Sequence, residues 1–420
     1  MSLPRIEDLY DGLSLDQRLS RASTTVRTLI DRTLDGGVLD VDESMTLLES
    51  TGDDVLALIA AADAVRKTDV GDDVTYVVNR NVNFTNVCFV GCRFCAFKRQ
   101  RGESEAYTHP VETILAKVQE AVDLGATEIC MQGGINPAMA PFTYRDLLIA
   151  IKRAFPAIHM HAFSPMEIMY GARRTAMSHA DYLAMLKSHG LDTIPGTAAE
   201  ILDDEVREIL SHKKVDVRTW VDIITTAHRL GIPSTATIMY GHVETPRHVA
   251  AHLRLIRDLQ SETGGFTEFV PLRFIHADTE MHRDGLVNDP PPKGMYDLRM
   301  YACCRLILRG AIDNLQTSWV KINHDLAQLS LNAGCNDFGG TLMEESISRE
   351  AGADAGEYTP VAEIHRLVRG VGRRPVERTT LYKKLDPTEG STTRENATAA
   401  DCAGGRSRGG EVLARPHHVH

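Results

Sequence analysis

The sequence lacks several features that define broad classes of protein. It has no apolar run of roughly 18–20 residues, the length that a membrane-spanning helix needs. It has no basic excess, because its net charge is −11, and we expect no binding to the phosphates of nucleic acid. Its first eight residues show no charged-then-apolar signal peptide. These absences predict a cytoplasmic protein without nucleic-acid or membrane partners.

Cysteine is also scarce, with 8 in 420 residues, too few for a disulfide scaffold. Three of them, Cys88, Cys92 and Cys95, nevertheless lie in one short segment. Three thiolates hold three corners of a four-iron cluster, whereas a structural zinc site takes four ligands and a ferredoxin cluster four cysteines. The spacing, with Phe94 before the last cysteine, resembles that of radical S-adenosylmethionine (SAM) enzymes. Three buried thiols, or zinc completed by a distant His or Cys, are the alternatives.

Strand-like apolar runs alternate with helical stretches over most of the chain. The predicted strands are Val82–Phe84, Thr127–Met131, His159–Phe163, Thr193–Ile194, Ser234–Met239, Glu268–Phe274, Asn314–Trp319 and Asn336–Phe338. The predicted helices include Pro110–Leu124, Tyr144–Ala154, Asp203–Leu210, Val217–Leu230, Pro246–Thr263 and Tyr296–Arg309. Eight strand–helix units predict an α/β fold, a (β/α)8 TIM-like barrel, with its active site at the carboxyl ends of the strands.

Four regions follow from this pattern. Residues 1–70 are predicted to be a helical N-terminal extension and residues 71–345 the barrel. Residues 346–385 are predicted to be a helical C-terminal extension. Residues 386–420, rich in Thr, Gly, Ser, Arg and Asp, are predicted to be a disordered tail.

Polar residues gather where the predicted strands end. Gln132, Gly133 and Gly134 follow the second strand, where glycines let a backbone carbonyl approach a ligand. His159 and His161 share one face of the third strand, and Glu200 follows the fourth. The alternatives are core histidines at His159 and His161, an ordinary turn at Gln132-Gly133-Gly134 and a helix cap at Glu200. The clustering favours a polar ligand site.

Longer motifs make the chain similar to the FO synthases, in their tyrosine-consuming half, 5-amino-6-(D-ribitylamino)uracil–L-tyrosine 4-hydroxyphenyl transferase. The similar segments span roughly residues 70 to 380. They include Asn83 to Cys88, Met131 to Ile135, His161 to Ile168, Leu191 to Val206, Met239 to Val243, Gly264 to Leu272, Gln316 to Lys321 and Asn336 to Ser348.

This resemblance implies a [4Fe-4S] cluster and SAM, which together yield a 5′-deoxyadenosyl radical that abstracts hydrogen from tyrosine. The Cα–Cβ bond of tyrosine then breaks, and the 4-hydroxybenzyl group joins carbon 5 of the ribityl-diaminouracil. A second radical SAM subunit, which closes the deazaflavin ring, and reduced ferredoxin or flavodoxin are the implied partners.

Position and resemblance together assign roles to the candidate residues. The metal ligands are Cys88, Cys92 and Cys95. The cofactor-binding residues are Phe94, Gln132, Gly133, Gly134, Ser164, Glu200 and Met239. The catalytic residues are Tyr240, His242 and Glu167, and the substrate-binding residues are His161, Glu268, Arg273, His276 and Asp278.

The segment after the sixth strand departs from the family pattern. It reads Pro-Leu-Arg-Phe-Ile-His-Ala-Asp-Thr-Glu, so Arg273 and Asp278 bring charge to a region that would face substrate. A paralogue that acts on another amino acid or on a futalosine-like menaquinone precursor is therefore the alternative function. The cluster and SAM motifs are unaffected by this departure.

Overall fold

The computed structural model describes residues 3–287 and 291–385. The predicted tail, residues 386–420, lies outside these ranges. Within them, no helix combines the length and the apolar character required to cross a bilayer.

The N-terminal part is helical, as predicted. A short 3-10 helix (Ile6–Tyr10) precedes four α-helices: α1 (Leu15–Arg21), α2 (Thr24–Leu34), α3 (Val41–Leu48) and α4 (Asp53–Val70). Helix α4 carries buried side chains around most of its surface, because it packs against α1 and α2 on one side and a later helix, Met295–Ile307, on another. This layer attaches the N-terminal helices to the rest of the fold.

From residue 73 onward, strands and helices alternate. The strands are β1 (Asp73–Val77), β2 (Asn79–Asn83), β3 (Glu128–Gln132), β4 (His159–Ala162), β5 (Ser234–Tyr240), β6 (Phe266–Arg273), β7 (Asp337–Gly340) and β8 (Arg374–Glu377). The helices are α5 (Val111–Asp123), α6 (Thr143–Ala154), α7 (Pro165–Thr175), α8 (His179–Ser188), α9 (Asp204–Ser211), α10 (Val217–Arg229), α11 (Pro246–Thr263), α12 (Glu280–Arg283), α13 (Met295–Ile307), α14 (Trp319–Ile322), α15 (His324–Ser330), α16 (Ser346–Glu350) and α17 (Val361–Gly370).

In the part of the chain that the structure describes, all strand pairs in the regular ladders are parallel, in three sheets of order β7-β1-β8, β2-β3-β4 and β5-β6. Isolated parallel bridges link the sheets: His161 to Thr193, Ile194 to Ser234, Phe269 to Leu315, Gln316 to Asp337 and Arg80 to Met343. The architecture is therefore mixed α/β with parallel strands, and the predicted closed barrel of eight strands stays a prediction at this point.

Several predicted boundaries are wrong. The first predicted strand, Val82–Phe84, is β2 and begins three residues earlier, because its alternating Asn side chains face inward and break the apolar pattern. The predicted strand Asn314–Trp319 shrinks to bridges at residues 315 and 316, and Trp319 begins α14. The C-terminal extension is not purely helical, since β8 lies within it and pairs with β1.

Helix α11 shows how local sequence sets an element's limits. Thr245 caps the N-terminus, its side chain accepting a hydrogen bond from the His248 amide, and Pro246 occupies the first helical position. Gly264 ends the helix with φ of 63°, a left-handed conformation that glycine adopts without steric cost. The predicted span Pro246–Thr263 is therefore confirmed.

Candidate functional site

A cavity of about 410 Å³ opens among the strands and at their carboxyl ends. Every second residue of four strands lines it, as expected where alternate side chains share a face. These residues are Asn79, Asn81 and Asn83 in β2, Glu128, Cys130 and Gln132 in β3, Thr235, Thr237 and Met239 in β5, and Glu268, Val270 and Leu272 in β6. Most of the sequence-predicted site residues meet here, on separate strands and loops.

The three clustered cysteines lie together at one end of this cavity, on the loop that follows β2. All three are free thiols. Ser211 donates a hydrogen bond from its hydroxyl to Cys92 Sγ at 3.0 Å, and Lys98 Nζ donates to the Cys92 carbonyl at 2.9 Å. Burial raises the pKa of Cys92 to about 11, so iron has to displace a proton to bind there.

The loop fits an iron–sulfur cluster better than a single ion. Among residues 3–287 and 291–385, no three His, Cys, Asp or Glu side chains are arranged to hold one ion, as zinc would require. In a four-iron cluster each thiolate binds a different iron, so the sulfur atoms need not converge. Lys98 and Lys214 also line this end of the cavity, each in an ion pair with a glutamate.

The loop Gln132-Gly133-Gly134 packs against the segment before Cys88, and both glycines are required sterically. A Cβ on Gly134 would stand 2.3 Å from the Val87 carbonyl oxygen, and one on Gly133 would stand 2.6 Å from the Phe84 ring. The Gly134 amide donates to the Thr85 carbonyl at 2.8 Å. Because these two residues have no side chains, their backbone can lie close to the segment that leads into the cysteine loop.

Replacing Gly134 with alanine is expected to displace the backbone of residues 86–88 and to reduce cluster assembly. The overlap with Val87 involves backbone on both sides, which costs about 1–3 kcal/mol. Iron and sulfide content after anaerobic reconstitution measures the effect. The control is Gly310→Ala, where φ is +73° with no atom within 4 Å, so strain of about 1–2 kcal/mol is expected without loss of cluster. Equal cluster content in both variants would contradict the steric argument.

Glu167 connects this loop to the start of α7. Its carboxylate accepts hydrogen bonds from the Gly133 amide at 3.1 Å, the Ser164 amide at 2.7 Å and the Ser164 hydroxyl at 2.7 Å. Burial raises the pKa of Glu167 to about 7, although these hydrogen bonds act in the opposite direction. Glu167 and Ser164 thus fix the position of two loops that line the cavity.

Glu200 occupies a strained loop after the bridged segment 193–194. Backbone φ is 65° at Ala198 and 40° at Glu200, values that non-glycine residues seldom adopt. The guanidinium of Arg207 holds this loop by donating to the carbonyls of Ala198 at 3.0 Å and Ala199 at 2.6 Å. The Glu200 carboxylate is thereby fixed at the cavity wall.

Lys214 forms the main contact of that carboxylate. Its Nζ lies 2.5 Å from Glu200 Oε1 and 5.0 Å from the centre of the Phe94 ring. Phe94, Glu200, Lys214 and Met239 all line the cavity near the cysteines. This wall offers an aromatic face, a charged pair and a thioether to a ligand.

The opposite end of the cavity is polar and deeply buried. His161 bonds to the Thr193 hydroxyl at 2.8 Å, and burial lowers its pKa to about 4, so it is neutral at pH 7. Glu268 accepts hydrogen bonds from Tyr382 and, at 3.4 Å, from Arg378, while burial raises its pKa. Both residues line the cavity: Glu268 lies near the amino end of β6, and His161 is the third of the four residues of β4.

Tyr240 and Arg273 belong to a buried network centred on Asp297 of α13. Tyr240 donates its hydroxyl hydrogen to Asp297 Oδ1 at 2.8 Å, and Arg273 NH1 contacts both Asp297 oxygens at 2.6 and 2.7 Å. The side chain of Asp297 is 0% exposed. Arg273 borders the cavity, and Tyr240 is not among the residues that line it. The catalytic role of Tyr240 stays a prediction.

Three further predicted residues lie outside the cavity lining, a statement limited to the two described ranges. The side chain of His242 is fully enclosed, with Nε2 donating to the Met239 carbonyl at 3.0 Å and Nδ1 accepting from the Val243 amide. Asp278 is exposed, and His276 contacts His282 with ring centroids 4.8 Å apart. The catalytic role of His242 and the substrate contacts of His276 and Asp278 stay predictions.

Sequence reasoning missed several residues of the site. Lys214, Arg207 and Arg378 carried no local signal, because their partners lie elsewhere in the chain. Asn81 and Asn83 did carry one: polar residues at alternate positions just before the cysteine segment. That spacing indicates a strand face turned toward a polar cavity.

Comparison with known protein families identifies both parts of the chain. The model of the radical SAM superfamily matches residues 82–256, and that of the CofH/MqnC C-terminal region matches residues 263–390. The first match includes the cysteine loop and the Gly-Gly loop. The second includes β6 to β8, which complete the cavity.

Two curated relatives are similar over most of this chain. The 5-amino-6-(D-ribitylamino)uracil–L-tyrosine 4-hydroxyphenyl transferase of Methanothermobacter thermautotrophicus is 46% identical over 363 residues, or 86% of this chain and 98% of that protein. FO synthase of Nocardia farcinica is 50% identical over 348 residues, or 83% of this chain and 40% of that protein. The chain thus spans about two fifths of the length of the FO synthase that it matches.

Solved structures support the fold. The FeFe-hydrogenase maturase HydG from Carboxydothermus hydrogenoformans superimposes with a TM-score of 0.65, covering 90% of this chain and 84% of that one. At 15% identity this likeness concerns the fold alone. Radical SAM enzymes use a [4Fe-4S] cluster and SAM, and the cysteine loop fits that cofactor pair. The chain belongs to the radical SAM superfamily and, within it, to the family of the tyrosine 4-hydroxyphenyl transferases and FO synthases.

Proposed function

We propose that this chain is a radical SAM transferase that breaks the Cα–Cβ bond of L-tyrosine. It transfers the 4-hydroxybenzyl group to 5-amino-6-(D-ribitylamino)uracil in deazaflavin (FO) coenzyme biosynthesis. The observation that carries this proposal is the single continuous cavity with three free thiols at one end and a buried polar wall at the other. The similarity to the transferase over 98% of its length supports the choice of substrates.

In this proposal Cys88, Cys92 and Cys95 each bind one iron, which leaves the fourth iron for SAM. When bound, the cluster and SAM supply the radical that starts the reaction. Gly133 and Gly134 let the backbone approach SAM closely, with Phe94, Gln132, Ser164, Glu200 and Met239 around it. Glu167 acts as a positioning residue, because its three hydrogen bonds hold the Gly133 and Ser164 loops in place.

The rest of the chain orients the substrates and excludes water. A carbon radical attacks most molecules within reach, so both substrates have to be held in near-attack geometry. The cavity of about 410 Å³ is within the range of ligand sites, and its buried walls limit access by solvent. His161, Glu268 and Arg273 are the proposed substrate contacts among the predicted residues.

We also propose that the strands form one closed barrel. The isolated bridges complete a parallel order that runs β2, β3, β4, 193–194, β5, β6, 315–316 and β7, and then returns to β2 through Arg80 and Met343. A closed barrel of this kind would enclose the cavity on all sides except its mouth. The proposed active site lies at the carboxyl ends, where barrel enzymes place theirs.

Two partners follow from this function. A second radical SAM subunit of the FO synthase system would close the deazaflavin ring. Reduced ferredoxin or flavodoxin would supply the electron.

The test is an anaerobic assay of the reconstituted enzyme with dithionite, SAM, L-tyrosine and the ribityl-diaminouracil. We expect 5′-deoxyadenosine and a hydroxybenzyl adduct of the pyrimidine by mass spectrometry, and no adduct when either substrate is omitted. Deoxyadenosine without consumption of tyrosine would contradict the substrate assignment. A panel of other aromatic amino acids and a futalosine-like nucleoside would then identify the alternative substrate.

A further inference from the structure

Five cationic side chains line the cavity, and four of them have carboxylate partners. The four pairs are Lys98 with Glu280, Lys214 with Glu200, Arg273 with Asp297, and Arg378 with Asp337. The fifth is Lys321, and within the described parts of the chain its ammonium forms neither a hydrogen bond nor an ion pair. A cation on a cavity wall without a partner is suited to an anionic group of a ligand.

The position of Lys321 is fixed by the short helix α14. Trp319 of this helix donates from its indole nitrogen to the Gly340 carbonyl at 3.0 Å. Burial lowers the pKa of Lys321, while the nearby Glu345 and Cys95 act to raise it. Glu345 and Cys95 are therefore the charged or ionisable groups near this ammonium.

Glu345 is the carboxylate near Lys321, but it bonds to other groups. Its carboxylate accepts hydrogen bonds from the Ser348 amide at 2.9 Å and the Ser348 hydroxyl at 2.8 Å, and from Asn81 Nδ2. No contact within 4.0 Å joins it to Lys321 among the residues the structure describes. Glu345 instead fixes the side chain of Asn81.

Two unpaired acceptors lie on the neighbouring strand β2. Asn81 Oδ1 and Asn83 Oδ1 are buried and have no hydrogen-bond partner in the described chain. The orientation of both amides follows from their partners, since each Nδ2 faces an atom that can only accept: the Glu345 carboxylate and, at 3.1 Å, the Gln132 carbonyl. Both residues line the cavity, and Asn81 is only 8% exposed.

We propose that Lys321, Asn81 and Asn83 form a subsite for the charged end of a free α-amino acid. Lys321 donates to the α-carboxylate, and the two asparagine oxygens accept hydrogen bonds from the amino group. The charged end of an amino acid carries an anionic carboxylate and a cationic amino group. One unpaired cation can bind the carboxylate, and two unpaired acceptors can bind the amino group. The inference rests on the proposed function and specifies how the amino-acid substrate is held.

SAM also carries an α-amino-acid end, but the residues proposed for it lie elsewhere around the cavity. Gly133 and Gly134, Ser164, Glu200 and Met239 follow or end β3, β4, the segment 193–194 and β5. Lys321 and Glu345 instead follow the segment 315–316 and β7. Asn83 borders both sites, because its amide donates to the carbonyl of Gln132, one of the residues proposed around SAM. Lys321 is the member of the subsite that lies away from the residues proposed for SAM.

The test compares binding of L-tyrosine and tyramine, which differ in the α-carboxylate. Equilibrium dialysis uses the cluster-reconstituted enzyme with SAM and without reductant, so that no turnover occurs. We expect the wild-type enzyme to bind tyrosine at least about tenfold more tightly than tyramine, because a hydrogen bond to a charged group contributes about that much affinity. In Lys321→Gln the preference should fall to about twofold or less, and Lys321→Arg should restore part of it.

The control variant is Lys187→Gln, an exposed lysine of α8 outside the cavity, which should retain the wild-type preference. Unchanged cluster absorbance and SAM affinity in Lys321→Gln would show that the variant is folded. An unchanged preference in that variant, or an equal loss of SAM affinity, would overturn the subsite. If the wild-type enzyme binds no tyrosine, the proposed substrate fails; other aromatic amino acids and their amines then test the subsite independently.

Discussion

Replacing Cys95 with alanine is expected to abolish both the [4Fe-4S] cluster and the formation of 5′-deoxyadenosine. Three thiolates are the complete protein ligand set in this proposal, so the loss of one leaves two irons of the cluster without protein ligands. Lys98 and Lys214 cannot replace the thiolate, because each is a cation already paired with a glutamate. Iron and sulfide analysis, together with electron paramagnetic resonance of the reduced protein, measures the result.

The matched control is Cys130→Ala. Cys130 lines the same cavity, but it lies within β3 and its sulfur contacts Gln132 Nε2 at 3.7 Å. Cys130 is not one of the three thiols of the cysteine loop, so its removal leaves the proposed ligand set intact. We expect this variant to retain its cluster. Full cluster content in Cys95→Ala, or an equal loss in both variants, would contradict the assignment of the ligands.

Replacing Asp297 with alanine is expected to lower the free energy of unfolding by about 3–5 kcal/mol. The substitution leaves the guanidinium of Arg273, which is 4% exposed, without a carboxylate, and the Tyr240 hydroxyl without its acceptor. A buried charge without a partner costs far more than the intact pair contributes. Urea denaturation, followed by circular dichroism, measures the difference.

An exposed ion pair provides the comparison. Arg254 and Asp258 form an i,i+4 pair at 2.9 Å on the surface of α11, with side chains 43% and 54% exposed. Asp258→Ala should therefore change stability by less than about 1 kcal/mol. The double variant Arg273→Met with Asp297→Leu should recover most of the loss, because no buried charge remains. Equal effects of Asp297→Ala and Asp258→Ala would show that the buried network around Asp297 contributes no more to the free energy of unfolding than the exposed pair.

Local sequence was sufficient to predict much of the scaffold. Helix α11 has a cap, a proline and a terminal glycine, so its limits could be read directly. Strand order also predicts a site at the carboxyl ends of the strands. The alternation of side chains in β5 could also have predicted the direction of Tyr240. Thr235, Thr237 and Met239 face the cavity, so Tyr240 lies on the other face of the strand.

The remaining features depend on contacts between distant segments. Nothing near Arg273 indicates that Asp297, from a later helix, neutralises it. Likewise, the side-chain amides of Asn81 and Asn83 are oriented by Glu345 and Gln132, which accept from their Nδ2 atoms. Each Oδ1 atom is left without a partner as a result. Which polar groups are satisfied and which are free is a property of the assembled fold, and it decides which of them can hold a ligand.

The pairing of β8 with β1 has a consequence for biosynthesis of the chain. Arg374 and Asp73, joined at 2.6 Å, are 301 residues apart, and β7, the other neighbour of β1, also comes late. During translation β1 therefore emerges long before either neighbour exists, with its backbone unpaired and its apolar side chains uncovered. Such a segment is prone to aggregate, so we expect the nascent chain to rely on chaperones until residue 377 has left the ribosome.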